Sequence, residues 1–355
     1  MQQDKKLEVS IKSKNGLRYG KMKYGNLEEE FPKQIITSTN QGHINNFEKN
    51  VDLDTKSFQV FLNVNAGDFE NNKSKSTKGK IGRAKGFVSI SNRINWILIK
   101  DIFRTSRIGK KKIEDSLKLQ EEINPKIKSL YIPKNLKPEI ATELIQKHSD
   151  KIVYIDMNDT PTHFKKIYLS CINSGVKIVC FIIRKLSDNN VENYNLVAGR
   201  SEDNVLRIAT ELTKRSSIVG DRSLSLFFYN LGFDGFAFRG GSKPYNTTIE
   251  NLAIYRKGMY KYENILEFNK CDCESHKGKV PYEEAKRYHE LKKSSIPSSL
   301  HDHLELNEDF KEIRNKLIKN ELDINKLKEE SEFSLMFNQL IESNKAKKKN
   351  ASELL

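Results

Sequence analysis

Val176-Lys-Ile-Val-Cys-Phe-Ile-Ile183 is apolar at every position but one. A strand made from it is buried on both faces, as strands of a parallel sheet covered by helices are. Similar short β-type runs occur at Ser129 to Ile132, Ile152 to Asp156, Tyr194 to Val197 and Phe233 to Phe238. Between the runs, apolar residues recur at three- and four-residue spacing, which predicts helices over Pro138 to His148, Thr162 to Ser174, Asp203 to Lys214 and Arg222 to Leu231. Strands alternating with helices predict an α/β fold with a parallel sheet, and repeated units of this kind close most economically as a TIM-like (β/α)8 barrel. The 355 residues leave room for a subdomain beside a barrel of roughly 250. An open doubly wound sheet is the alternative. Against nucleotide-cofactor binding, Gly79 to Gly86 and Gly240-Gly241 lack the spacing of a phosphate loop.

Lys and Arg number 62 against 47 Asp and Glu, a formal net charge of +15. Such a balance attracts polyanions and favours nucleic acid over an acidic small molecule, although an even spread of lysine gives the same sum without a groove. Met1 to Lys14 is charged and lacks the apolar core of a signal peptide, and no run approaches the roughly 20 apolar residues of a membrane span. A cytoplasmic protein with no membrane partner is the expectation. Asn71 to Lys85, polar, basic and rich in Ser and Gly, reads as a loop that could touch phosphates.

Four cysteines are too few for a disulfide scaffold at this length. Cys171 and Cys180 lie in apolar runs, as buried thiols do. Cys271 and Cys273 lie one residue apart in a polar stretch, Cys271-Asp-Cys-Glu-Ser-His276, with His301-Asp-His303 downstream. Two thiolates and two imidazoles complete a tetrahedral Zn2+ site, structural because every position is filled. Cys271, Cys273, His276 and His301 are the expected ligands, with His303 as the alternative fourth. Three regions are expected: a barrel over 1–268, a zinc subdomain with its helix over 269–320, and a polar helical tail over 321–355.

The carboxy-terminal third resembles the zinc subdomain of the tRNA-guanine transglycosylase family, which carries C-x-C-x2-C and a histidine opening a helix that ends in Ile-Arg or Leu-Arg. Cys271 and Cys273 match, His276 stands at the third cysteine, and His301 opens a helix reaching Ile313-Arg314. Other fragments follow in the family's order. Asp54-Thr-Lys-Ser-Phe-Gln-Val-Phe61 is similar to Asp-Ser-Gly-Gly-Phe-Gln-Val-Phe, Val153-Tyr-Ile-Asp156 to a strand ending in a base-reading Asp, and Leu196-Val-Ala-Gly-Arg200 to Val-Gln-Gly-Gly. Asn230-Leu-Gly-Phe-Asp234-Gly-Phe-Ala-Phe238 is similar to Leu-Gly-Val-Asp-Met-Phe-Asp-Cys, with Ala237 where the usual nucleophilic Asp stands. With Arg239-Gly-Gly241 it also resembles a glycine loop of the base pocket.

The resemblance implies an enzyme that exchanges guanine in tRNA for a 7-deazaguanine base such as preQ0 or preQ1, through a covalent aspartyl-ribosyl intermediate. Departures from the motifs point toward the divergent branch that modifies DNA. Asp54 and Asp234 are then the catalytic carboxylates, and Asp156, Phe58, Gly199, Gly240 and Gly241 the base-binding residues. Pairing through the zinc region, as a homodimer, is a further implication. A noncatalytic nucleic-acid-binding or partner subunit of the same fold is the alternative that Ala237 suggests. His148 and His163 read as surface or loop residues.

Overall fold

The computed structural model describes residues 6–38, 56–63, 75–90, 93–100, 110–134, 136–183, 191–200, 204–212, 221–238, 249–290, 296–338 and 341. The chain opens with three antiparallel strands, β1 (Leu7–Lys14), β2 (Leu17–Tyr24) and β3 (Leu27–Phe31). Eight parallel strands follow: β4 (Lys33–Thr37), β5 (Ser57–Asn63), β6 (Ile94–Lys100), β7 (Ser129–Ile132), β8 (Ile152–Asp156), β9 (Ile178–Ile182), β10 (Leu206–Leu212) and β11 (Gly235–Phe238). The sheet order is β6-β5-β4-β11-β10-β9-β8-β7, so the first and last of these strands pair. The seam between β6 and β7 is bridged by Ile127 N–H donating to the Asn95 carbonyl at 3.0 Å. The sheet is therefore a nearly closed parallel barrel, and the open doubly wound alternative fails.

Helices α1 (Lys75–Ile90), α2 (Lys110–Ile123), α3 (Pro138–Lys147), α4 (Pro161–Asn173), α5 (Val191–Ala198) and α6 (Leu224–Asn230) connect successive strands from β5 onward. Strand side chains alternate between the two layers, as the twofold period of a strand requires. Phe58, Val60 and Leu62 pack outward against Ile81, Ala84 and Val88 of α1. Trp96, Tyr154, Cys180, Ile208 and Ala237 face the barrel interior.

Three expectations change. Tyr194 to Val197 belongs to α5, because Val191, Tyr194 and Val197 are buried at helical spacing. Leu206–Leu212 is a strand and not the helix expected over 203–214, since all seven residues are buried. Residues 75–85, expected as loop, belong to α1, and 71–74 lie outside the described residues.

The amino end of the barrel is covered by the β1–β3 sheet, whose Met22 and Phe31 join the interior core. Beyond β11 come a hairpin of β12 (Ala253–Arg256) and β13 (Lys261–Asn264), then α7 (Pro281–Glu290), α8 (Ile296–Lys319) and α9 (Ile324–Glu330). Helix α8 returns to the barrel: Phe310 stacks on Phe236 of β11 with centroids 5.0 Å apart, and Asn307 Oδ1 accepts from Gln34 N–H of β4 at 2.7 Å. It thus covers the β11/β4 wall, so the segment 253–290 is an insertion between the last barrel strand and the helix packed on it. The expected boundary at 269 falls inside that insertion. No helix among the described residues is long and apolar enough to cross a membrane.

Candidate metal centre and barrel mouth

The insertion has little core of its own. Ile254, Ile265, Phe268 and Ala285 form its own buried cluster, Tyr255 and Tyr262 packing into the main core instead, and so small a cluster seldom holds a segment in place without a staple. Beside it, Cys271, Cys273, His276 and His301 bring their ligand atoms within 4.8 Å of one another. The residues 271–279 make a tight knuckle: Gly278 N–H donates to the Cys271 carbonyl at 2.9 Å and His276 N–H to the Cys273 carbonyl at 3.0 Å. Gly278, at φ +77°, supplies the left-handed conformation that lets the chain fold back.

The fourth member of the cluster, His301, comes from α8. His301 Nδ1 lies 3.4 Å from Cys271 Sγ and 3.2 Å from Cys273 Sγ, and His276 Nδ1 lies 3.4 Å from Cys273 Sγ. Around a tetrahedral Zn2+ with ordinary bond lengths, neighbouring S and N ligands stand about 3.6 Å apart, so a small shift accommodates the ion. His301 Nε2 faces the Tyr255 carbonyl at 2.7 Å. That bond places the proton on Nε2 and leaves Nδ1 to coordinate. The Cys273 thiol, and after it the two imidazoles, push the Cys271 thiol well below its ordinary range, while facing Cys271 pushes the Cys273 thiol up. A divalent cation bound here would neutralise both sulfurs as thiolates. His303 is not part of the group: it faces Asn307 Nδ2 at 3.1 Å, and burial, with Lys33 and Arg93 nearby, lowers it to about 3.

Tyr255 ties this centre to the barrel wall. Its N–H donates to Asp302 at 2.8 Å and its hydroxyl to Asp309 at 2.7 Å, both on α8.

The expected acidic residues do not converge. Asp156 ends β8 at the carboxyl mouth, the end where parallel barrels carry their chemistry. It is buried, with Oδ1 fixed by Asn158 N–H at 2.9 Å. The loop that follows is pinned by Asn193, which donates to the Met157 and Asp159 carbonyls at 3.0 and 2.9 Å. His163 is part of the same support and not a loose surface residue, since it bonds Asp159 and, through Nε2, the Leu136 carbonyl at 2.7 Å.

Asp234 precedes β11 and so lies at the opposite, amino end. It is wholly buried, and its oxygens take Arg18 Nε at 3.0 Å, Arg18 Nη2 at 3.2 Å and Arg207 N–H at 2.8 Å. A carboxylate so committed cannot attack a ribosyl carbon, and the nucleophile role expected of it is corrected to a structural one. Gly199 ends α5 with its N–H on the Asn195 carbonyl, also away from the mouth, because a helix between parallel strands finishes at the amino end of the next one. Phe58 faces outward, packed against Phe87 of α1 at 6.4 Å and not toward the barrel interior. Asp54, Gly240 and Gly241 lie outside the described residues.

A residue that sequence reasoning passes over stands at the mouth instead. β10 carries a register shift between Thr210 and Leu212, and between them Glu211 adopts φ +62°. Ala209 and Leu212 both pack in the helix-facing core, whereas Ile208 faces the interior. The bulge therefore inserts one residue and turns Glu211 inward beside Thr210, where strict alternation would have put it outside. No residue pattern in the sequence announces such a bulge.

No protein-family model matches the sequence, and a search of curated proteins returns no significant match.

Proposed function

We propose that this chain is a base-exchange enzyme of the guanine transglycosylase type, acting on tRNA or DNA at the carboxyl mouth of the barrel. The observation that supports it most is the buried carboxylate of Asp156 at the end of a barrel strand, in a chain whose last barrel strand and covering helix bracket a Cys2His2 cluster. In the proposed reaction an Asp156 oxygen bonds to the ribosyl carbon as its bond to guanine breaks. The departing base takes a proton from a second carboxyl group. A 7-deazaguanine base such as preQ0 or preQ1 then returns that proton, bonds to the same carbon and frees the aspartate. Asp54 is the candidate for the second group. Zn2+ fills the Cys2His2 cluster as a staple and takes no part in the chemistry.

Helix α1 fits a wall contacting phosphates, because Lys78 and Arg83 are exposed and the helix contains no acidic residue. Extracting the target nucleotide costs a few kcal/mol of stacking, which contacts of this kind offset.

Incubation with radiolabelled guanine and either tRNA or duplex DNA tests the assignment. Label should enter one polymer with the wild-type chain and not with Asp156→Asn, and Asp54→Asn should slow it. Label entering neither polymer contradicts enzymatic exchange. A second reading, a noncatalytic subunit that only binds nucleic acid, is favoured by Ala237, which faces inward on β11 where the resemblance puts a nucleophile. It predicts retarded migration of the same polymer with no exchange. Metal analysis tests the cluster separately: one zinc per chain is expected, lost in both Cys271→Ser and Cys273→Ser, and full occupancy in both variants would remove the site.

A further inference from the structure

Several polar atoms inside the barrel, below its carboxyl mouth, have no hydrogen-bond partner among the described residues. Gln59 is wholly buried; its Nε2 donates to Thr210 Oγ1 at 2.7 Å, leaving Oε1 without a donor. The Trp96 indole N–H and the Tyr154 hydroxyl, both wholly buried, lie near each other without a bond of proper geometry. Each such atom destabilises the fold when nothing meets it, and native interiors keep few of them.

Glu211 faces the same space. Its charge adds to burial and the Cys180 thiol in pushing the Tyr154 hydroxyl upward. Six other non-glycine residues have positive φ, namely Asn15, Asn124, Tyr260, Lys277, Asn320 and Glu332, and all of them sit in turns or at helix ends. Glu211 alone among the described residues holds that conformation within a strand. Strain of this kind, about 1 kcal/mol or more, persists where the side chain is wanted in that place.

We propose that Glu211, with Gln59 and the Thr210 that orients it, is the specificity-determining group of the base pocket and grips the amide-and-amino edge of a guanine-type base. This rests on the base-exchange assignment above and names the part of the site that reads the base. The chemistry fits in both directions. A carboxylate accepts two parallel N–H groups and Gln59 Oε1 accepts a third, while Tyr154 O–H and Trp96 N–H offer donors to a ring nitrogen or carbonyl. Glu211 and Asp156 stand on β10 and β8 at one level, since Asp156 pairs with Ile182 and Ile182 with Thr210. One intervening strand separates them by about 10 Å along the wall, so inward side chains span a base held between them.

Trp96 is the only tryptophan of the chain, and its fluorescence reports on this pocket directly. Guanine should quench it in the wild-type protein, and hypoxanthine, which lacks the amino group, should bind about 10-fold more weakly or worse. Glu211→Gln should lower guanine affinity by about 100-fold and bring the guanine-to-hypoxanthine ratio near one. A Glu211→Gln protein that keeps the ratio, while Asp156→Asn loses base exchange, overturns the role of Glu211 and leaves exchange standing. A wild-type chain whose fluorescence responds to neither base overturns both.

Discussion

The two ends of the barrel differ in how they treat buried charge, while both keep some unpartnered polar atoms among the described residues, Ser57 Oγ and Gln34 Oε1 at the amino end. At the amino end Arg18 meets Asp234, and Lys33 meets Glu29 at 2.9 Å, whose other oxygen accepts Ser57 N–H at 2.6 Å. These bonds hold the β1–β3 sheet over the barrel. At the carboxyl end Gln59 Oε1, Trp96 Nε1 and Tyr154 Oη lack such partners among the described residues. Paired charge at the amino end serves folding, and the leftover polar atoms that lie at the carboxyl end, where parallel barrels carry their chemistry, are the ones placed to meet something from outside.

Breaking the amino end should have the largest effect. Asp234→Asn leaves Arg18 buried without its counter-charge, which costs about 3 to 5 kcal/mol, and urea unfolding should show that loss. Unchanged stability with selective loss of base exchange would return Asp234 to the chemistry. A carboxylate on α8, facing the β12–β13 hairpin, gives a smaller, pH-dependent effect. Asp309 is raised to about 6, chiefly by burial, against the opposing hydroxyl of Tyr255. Lys257 also lowers it, and Glu312 raises it. The folded chain therefore binds this proton more tightly than the unfolded one, so the contribution is fully present below about 4 and is lost as pH rises through about 6. Asp309→Asn should flatten that part of the stability profile by roughly 1 to 3 kcal/mol; an equal slope in both proteins would exclude Asp309 as its source.

At the carboxyl end, removing polar groups should cost little. Tyr154→Phe deletes a hydroxyl that lacks a well-formed bond and is expected to be neutral or stabilising by about 1 kcal/mol. Glu211→Gly is expected to abolish the quenching by guanine. A marked drop in melting temperature for Tyr154→Phe would make this end as structural as the other.

The strands at 129–132 and 152–156 were legible because continuous apolar runs between turn residues have one economical burial. The cysteine pair was legible too, since two thiols one residue apart in a polar stretch have little reason to be there without a metal. Residues 206–212 were not, because Arg207 and Glu211 break the apolar run, and their burial depends on the Asp234 network and on a bulge. Helix α1 was hidden by its glycines, which cost about 1 kcal/mol each in a helix and are outweighed by Ile81, Ala84 and Val88 packing on β5. Asp234 was misplaced for a simpler reason: an aspartate next to a strand reads alike at either end, and only the direction of the chain through the barrel decides which end it serves.

The central claim, that the carboxyl mouth binds the base, is tested most directly by a crystal structure of the chain soaked with guanine. The account predicts a planar purine between Asp156 and Glu211, its amide-and-amino edge toward Glu211 and Gln59. A purine bound anywhere else on the barrel, or a mouth empty at saturating guanine, would contradict it.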